Sequence, residues 1–272
     1  MRAQCRLLSN SHAHAYGRLN PLVPGHAVIA SRRAEVLGPT DLAGMEEWVG
    51  LWRLAHEAQV AAEAATGAAA STLLMREGPD AAWSGAPLHV HVLPRRPGDF
   101  PKNDDVFAAM QAWRPPDAAP SVAASWSLEV PDGDARRDRA FAEMADEAAS
   151  YRDPRARPVE GDRAFAALTI PRDHVFYVSP TGLSHAFVNL RPLVPGHVLV
   201  SPRRVVPRTA DLSPEERDDL WASALATRRL VLGRRGGAAT TCELGVQDGA
   251  EAGQSVPHVH VHVSPRPRAG AL

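Results

Sequence analysis

The densest chemistry in the sequence lies near its end, in Val256-Pro257-His258-Val259-His260-Val261-His262-Val263. A neutral imidazole is a nucleophile near pH 7, and its two nitrogens do different work: one attacks while the other is held by a hydrogen bond. Valine is β-branched, and strict alternation is the period of a strand. Residues i, i+2 and i+4 of a strand share a face, so the three rings stand in a row while the valines point into a core. In such a row the middle ring can attack, and its neighbours can fix its tautomer and contact the group attacked. The rival chemistry is a zinc site, because imidazole is a common zinc ligand. Same-face side chains on a flat strand are about 7 Å apart, which is wide for one ion. No cysteine or acidic cluster joins the row, so no metal ligand is assigned and no metal is expected.

The elements that position this row occur twice. Pro21-Leu22-Val23-Pro24-Gly25-His26 returns unchanged as Pro192-Leu193-Val194-Pro195-Gly196-His197, an offset of 171. Leu88-His89-Val90-His91-Val92 faces Val259-His260-Val261-His262-Val263 at the same offset of 171, as does Met75-Arg76-Glu77-Gly78 against Val246-Gln247-Asp248-Gly249. A constant offset over this span implies a tandem duplication with equal element lengths. In the first copy, strands are expected at Ala3 to Leu7, Ala13 to Leu19, Ala27 to Ala30, Ser71 to Arg76 and Leu88 to Leu93. A helix capped by Thr40 or Asp41 runs to about Thr66. In the second copy, strands are expected at Phe165 to Ile170, His174 to Val178, Leu183 to Asn189, His197 to Val200, Ala239 to Val246 and along the histidine row. Ser213-Pro214-Glu215-Glu216 starts its helix. The expected class is α+β, each copy a mostly antiparallel sheet with one long helix. The expected domains are 1–97 and 159–272, with residues 98–158 an extension that carries one helix from Arg136 to Tyr151 and a Pro-rich linker.

Composition limits the function classes. The chain has 272 residues, 44% of them hydrophobic, and a formal net charge of −1, so nothing global favours nucleic acid or an anionic membrane surface. No apolar run reaches the roughly 18 residues of a membrane span. Cys5 and Cys242 give no disulfide framework, and a cytoplasmic location is expected.

The chain resembles the histidine triad (HIT) superfamily, and within it the fragile-histidine-triad branch. The resemblance is carried by Asn189 to Val200, by Gln247 to His258, and in the first copy by Leu93 to Phe100. It implies hydrolysis of dinucleoside polyphosphates to two nucleotides without a required cofactor. It makes His260 the nucleophile that forms a nucleotidyl-histidine, with His262 on the phosphate and His258 and His197 in support. It places Gln247, Gly253, Gln254, Ser255 and Val256 in the phosphate-binding segment and Asn189 on the ribose or base side. Imidazole suits this role because it leaves readily from a phosphorus–nitrogen bond. Leu168 stands where the branch carries a histidine. A nucleoside phosphoramidate hydrolase of the same superfamily and a dinucleotide-binding signalling module are the alternative readings. The transferase branches carry glutamine where His262 stands.

The first copy departs from the pattern. His26, His89 and His91 remain, but proline (Pro87) replaces the first histidine of the row. Arg76, Trp83, Gly85 and Arg18 stand for Gln247, Gln254, Val256 and Asn189, so this site is expected to be degenerate. The branch is dimeric, and two copies in one chain are expected to pair within it, giving a monomer.

Overall fold

The computed structural model describes residues 5–17, 20–77, 87–113, 137–156, 158–234 and 239–267. Arg18, Gly78, Trp83 and Gly85, named above, lie outside the described residues. The chain divides into two compact units, Met1–Ser127 with Gly245–Ser255, and Leu128–Leu244 with Val256–Leu272.

The first unit contains β1 (Cys5–Ser9), β2 (Ala13–Gly17), β3 (Ala27–Ser31), α1 (Met45–Thr66), β4 (Ala70–Arg76), β5 (His89–Arg95) and α2 (Asp105–Ala112). The strands lie in the order β1-β2-β3-β5-β4 with antiparallel neighbours. The helix α1 buries Trp48 and Trp52, whose rings meet edge to face at 5.8 Å. It begins later than the sequence predicts, after a separate 3-10 turn at Pro39–Asp41. The reason is local: the Asp41 carboxylate accepts the N–H groups of Leu37 and Gly38, so it ties down the preceding turn instead of capping the helix. The helix stops at Gly67, whose φ of 66° is left-handed and whose N–H returns to the Glu63 carbonyl.

The second unit contains α3 (Phe141–Tyr151), β6 (Arg163–Phe165), β7 (Leu168–Ile170), β8 (Val175–Val178), β9 (Ser184–Val188), β10 (Val198–Pro202), α4 (Pro214–Arg234), β11 (Ala239–Asp248) and β12 (Val261–Pro267). From Gly245 onward β11 belongs to the first unit. The order β12-β10-β9-β8 is again antiparallel. The start of α4 is a capping box: Ser213 Oγ accepts the Glu216 N–H at 3.2 Å, and Glu216 Oε2 accepts the Ser213 N–H at 2.9 Å. Each unit thus has one long helix, of 22 residues in α1 and 21 in α4.

Two predicted strands of the second unit differ. Phe165 to Ile170 is a hairpin, not one strand, because Ala166 turns the chain with a φ of 53°. Only His262 of the histidine row lies inside β12; His258 and His260 precede it. Pairing of β10 with β12 ends at Val200 and Val261. Two residues on, Pro202 has no N–H to give the ladder, and the Ser201 hydroxyl bonds the Val259 carbonyl at 2.8 Å instead. The backbone stays extended enough to bury Val259, Val261 and Val263 completely.

Candidate active site

In the second unit the histidine rings are held in defined tautomers. The Leu193 N–H donates to His197 Nδ1 at 3.1 Å, so the proton of His197 sits on Nε2. That Nε2–H donates to His262 Nδ1 at 2.9 Å, which places the His262 proton on its own Nε2. The loop that delivers His197 turns at Gly196, whose φ of 81° only glycine adopts without strain; Gly25 repeats it at 82°. His260 differs: its Nδ1–H donates to the His258 carbonyl at 2.7 Å, which leaves its lone pair on Nε2. The rings of His260 and His262 are 4.9 Å apart. Burial holds His260 below its ordinary pKa, so the ring is neutral near pH 7.

The His258 ring faces a different task. Its Nε2–H donates to the Pro202 carbonyl at 3.0 Å, and its Nδ1 accepts the Ala166 N–H at 3.4 Å. His258 therefore anchors the corner of the β6–β7 hairpin. Phe165, just before that corner, lies 5.3 Å from the rings of both His258 and His260. It joins Val175, Phe187 and Leu199 in an apolar cluster, against which Val256 packs. Burial pushes His258 down to about 4, the charge of His260 adding to the effect and the Pro202 carbonyl opposing it. Asn189 follows β9 with its side-chain oxygen accepting the Arg191 N–H at 3.0 Å and its amide 3.5 Å from the His197 ring. Leu168 is 54% exposed.

Gln247, Gly253, Gln254 and Ser255 belong to the first unit. There the Gln254 side chain accepts the Gly249 N–H at 3.0 Å, and Gln247 Nε2 reaches Asp104 at 3.5 Å. Gly253 has a φ of 90°, and a Cβ on it would lie 2.7 Å from Gln247 Nε2, so glycine lets this loop close on that side chain. The loop runs by chain continuity through Val256 and Pro257 into the histidine row.

The first unit repeats the ring network. His26 Nδ1 accepts the Leu22 N–H at 3.3 Å, His26 Nε2 meets His91 Nδ1 at 3.0 Å, and His89 Nδ1 meets the Pro87 carbonyl at 2.8 Å. Among the described residues no three His, Cys, Asp or Glu side chains are grouped to hold a metal ion.

His185 is a further buried imidazole that no motif of the sequence marks. It lies on β9 opposite Ser201 and stacks on Phe187 at 5.7 Å, with 1% of its surface exposed. Neither ring nitrogen has a hydrogen-bond partner among the described residues, and burial, then Arg163, His258 and Arg203, push its pKa down to about 3. One signal was available: at the offset of 171, His185 and Phe187 match His14 and Tyr16.

Two antiparallel units, each with a His–Val–His run tied to a third buried histidine, define a class of protein that carries the same histidine relay twice. The HIT domain matches residues 4–98 and 171–269, most of the chain, which therefore belongs to the HIT family. It is 50% identical over 95 residues to the bis(5'-nucleosyl)-tetraphosphatase (asymmetrical) of Schizosaccharomyces pombe, covering 35% of this chain and 50% of that protein. It is 48% identical over 103 residues to the bifunctional bis(5'-adenosyl)-triphosphatase/adenylylsulfatase FHIT of Arabidopsis thaliana, covering 38% of this chain and 55% of that protein. The chain thus spans about half the length of these curated relatives. A solved uridylyltransferase structure shares the fold at a TM-score of 0.56 and 15% identity, over 97% of this chain and 76% of that one. No helix among the described residues is long and apolar enough to cross a membrane.

Proposed function

We propose that the chain hydrolyses dinucleoside polyphosphates of the diadenosine triphosphate kind to two nucleotides, through a nucleotidyl-histidine on His260. The observation that carries this reading is the 2.7 Å bond from His260 Nδ1 to the His258 carbonyl, which leaves Nε2 as a lone pair in a buried, neutral ring. Attack by Nε2 on a phosphorus atom breaks the phosphoanhydride bond, and the first nucleotide leaves with the electron pair on its oxygen. The phosphorylated ring is then cationic, and its Nδ1–H makes a charge-assisted bond to the same carbonyl. Water next attacks phosphorus, the P–N electrons return to Nε2, and the surplus proton goes to solvent. His262, with its proton on Nε2, supplies a donor to the phosphate oxygens. The family pattern gives Gln247, Gly253, Gln254, Ser255 and Val256 to the phosphates and Asn189 to the ribose or base. Relatives named as hydrolases of such compounds support the reading.

The test is turnover by purified protein of a panel of dinucleoside polyphosphates and phosphoramidates, with alkali-quenched samples, which preserve the acid-labile P–N bond, searched by mass spectrometry for nucleotide on His260. Burst release of one nucleotide and labelled His260 are expected, and exhaustive chelation should leave the rate within a few-fold. Tight binding without turnover overturns the enzyme in favour of a binding module; preference for phosphoramidates replaces the substrate class. We further propose that the copies arose by tandem duplication of a fragile-histidine-triad-type domain and pair within one chain, as the constant offset of 171 suggests. Sedimentation should then report a monomer.

A further inference from the structure

Trp113 lies on the histidine network of the first unit. Its ring meets His91 at 5.3 Å and 79° and His26 at 5.6 Å and 66°, both edge to face. Its Nε1–H donates to the Asn20 carbonyl at 2.9 Å, and only 5% of its surface is exposed. The helix before it is fixed from two sides. Val106 and Met110 pack on Val23, Leu74 and Leu93. Ahead of the helix, the fully buried Arg95 grips Asp99 at 2.7 Å. The indole is therefore placed by the fold, against rings whose tautomers match those of the second unit bond for bond.

A planar heterocycle with its polar edge bonded and its perimeter against imidazoles fills a slot shaped for a flat aromatic ring. We propose that Trp113 is an internal ligand of the first unit: its indole holds a site for a planar aromatic heterocycle, and removing it opens that site to a nucleobase-bearing ligand. The nucleotide part rests on the proposed function; the capping of the histidines does not.

The experiment uses the full chain with His260→Asn, so that nucleotide is bound without turnover, and compares it with the same chain carrying Trp113→Ala. Diethyl pyrocarbonate modification, located by mass spectrometry, reads access to His91. Titration with AMP reads the number of sites. Modification of His91 should be at least about tenfold faster once the indole is gone, and added indole should slow it again by mass action. AMP should bind with a second equivalent per chain. Unchanged modification of His91 overturns the cap. Faster modification that indole fails to slow overturns the ligand site. Faster, indole-sensitive modification with no AMP bound anywhere upholds the heterocycle site and instead overturns the nucleotide reading of the protein. Trp113→Leu, which keeps apolar bulk but leaves part of the ring edge bare, is judged by the same modification and indole readouts should the alanine variant fail to fold.

Discussion

The two histidine networks are bonded alike and covered differently. In both, the middle ring donates to the carbonyl two residues earlier, at 2.8 Å from His89 to Pro87 and 2.7 Å from His260 to His258. Because that acceptor is backbone, proline serves as well as histidine, and the tautomer survives the substitution. What proline cannot supply is a ring. In the second unit the His258 imidazole ties Pro202 to Ala166 and brings Phe165 against the His260 ring. In the first unit Trp113 lies on His26 and His91. The fold itself secures the tautomer of the middle ring, while the residues around it set what that ring meets.

The largest expected effect breaks the symmetry outright. His260→Asn should lower turnover by at least about 10³-fold with binding largely retained, because attack and not affinity depends on that ring. His89→Asn should stay within about twofold of the parent chain. Equal losses, measured as kcat on a dinucleoside polyphosphate, would refute the assignment of one working site.

His258→Ala comes next. It keeps the carbonyl that orients His260 and removes only the anchor of the hairpin. A loss of roughly 10- to 100-fold in kcat is expected, with faster hydrogen exchange at Ala166 as the sign that the hairpin has loosened. Unaltered exchange at Ala166 would show that the ring anchors nothing.

Sequence periodicity revealed much of this arrangement, and contacts distant in sequence account for most of the remainder. Valine alternation and the exact repeat of Pro-Leu-Val-Pro-Gly-His located both sets of histidines, since each is a pattern of short segments. The hairpin corner was not legible: Ala166 is an ordinary alanine whose positive φ goes with a bond to a ring 92 residues away. His185 was hidden because a histidine among apolar strand residues carries no spacing of its own. The offset of 171 groups Gln247 to Ser255 with the histidine row, yet by contacts these residues belong to the first unit, where Gln59 bonds Asp248 and Ala70 lies under Gly249.

A smaller effect concerns acid. The free rings titrate near 6.5, whereas His258 is held to about 4, His185 to about 3, and His260 below 6.5. Between 6.5 and 4 the unfolded chain binds protons that the folded second unit refuses, so stability falls as pH falls through that window. The acid limb of kcat/KM should lie below pH 6.5, because the proposed attack needs a neutral His260. In thermal melts, His258→Gln should flatten the loss of stability between pH 6.5 and 4. A limb at or above 6.5 would show that burial does not set the charge of His260.

The smallest effect tests why the two rows leave their sheets at different points. In the first unit the ladder continues to Ala30 opposite His89, and the Ser31 N–H donates to the Leu88 carbonyl at 2.9 Å. The matching pair in the second unit is Ser201 and Pro202, in which proline has no N–H and the Ser201 hydroxyl takes over, reaching the Val259 carbonyl at 2.8 Å. Ser201→Ala removes this buried donor and should cost about 1–3 kcal/mol, read from denaturant midpoints, with kcat changed far less. Adding Pro202→Ser copies the Ala30-Ser31 pair and restores a backbone donor at the same place, so the double variant should recover most of that loss. His258 also uses the carbonyl of residue 202, which the second substitution retains, so its anchor should persist. If the double variant is no more stable than Ser201→Ala alone, the hydroxyl is not standing in for a missing ladder bond.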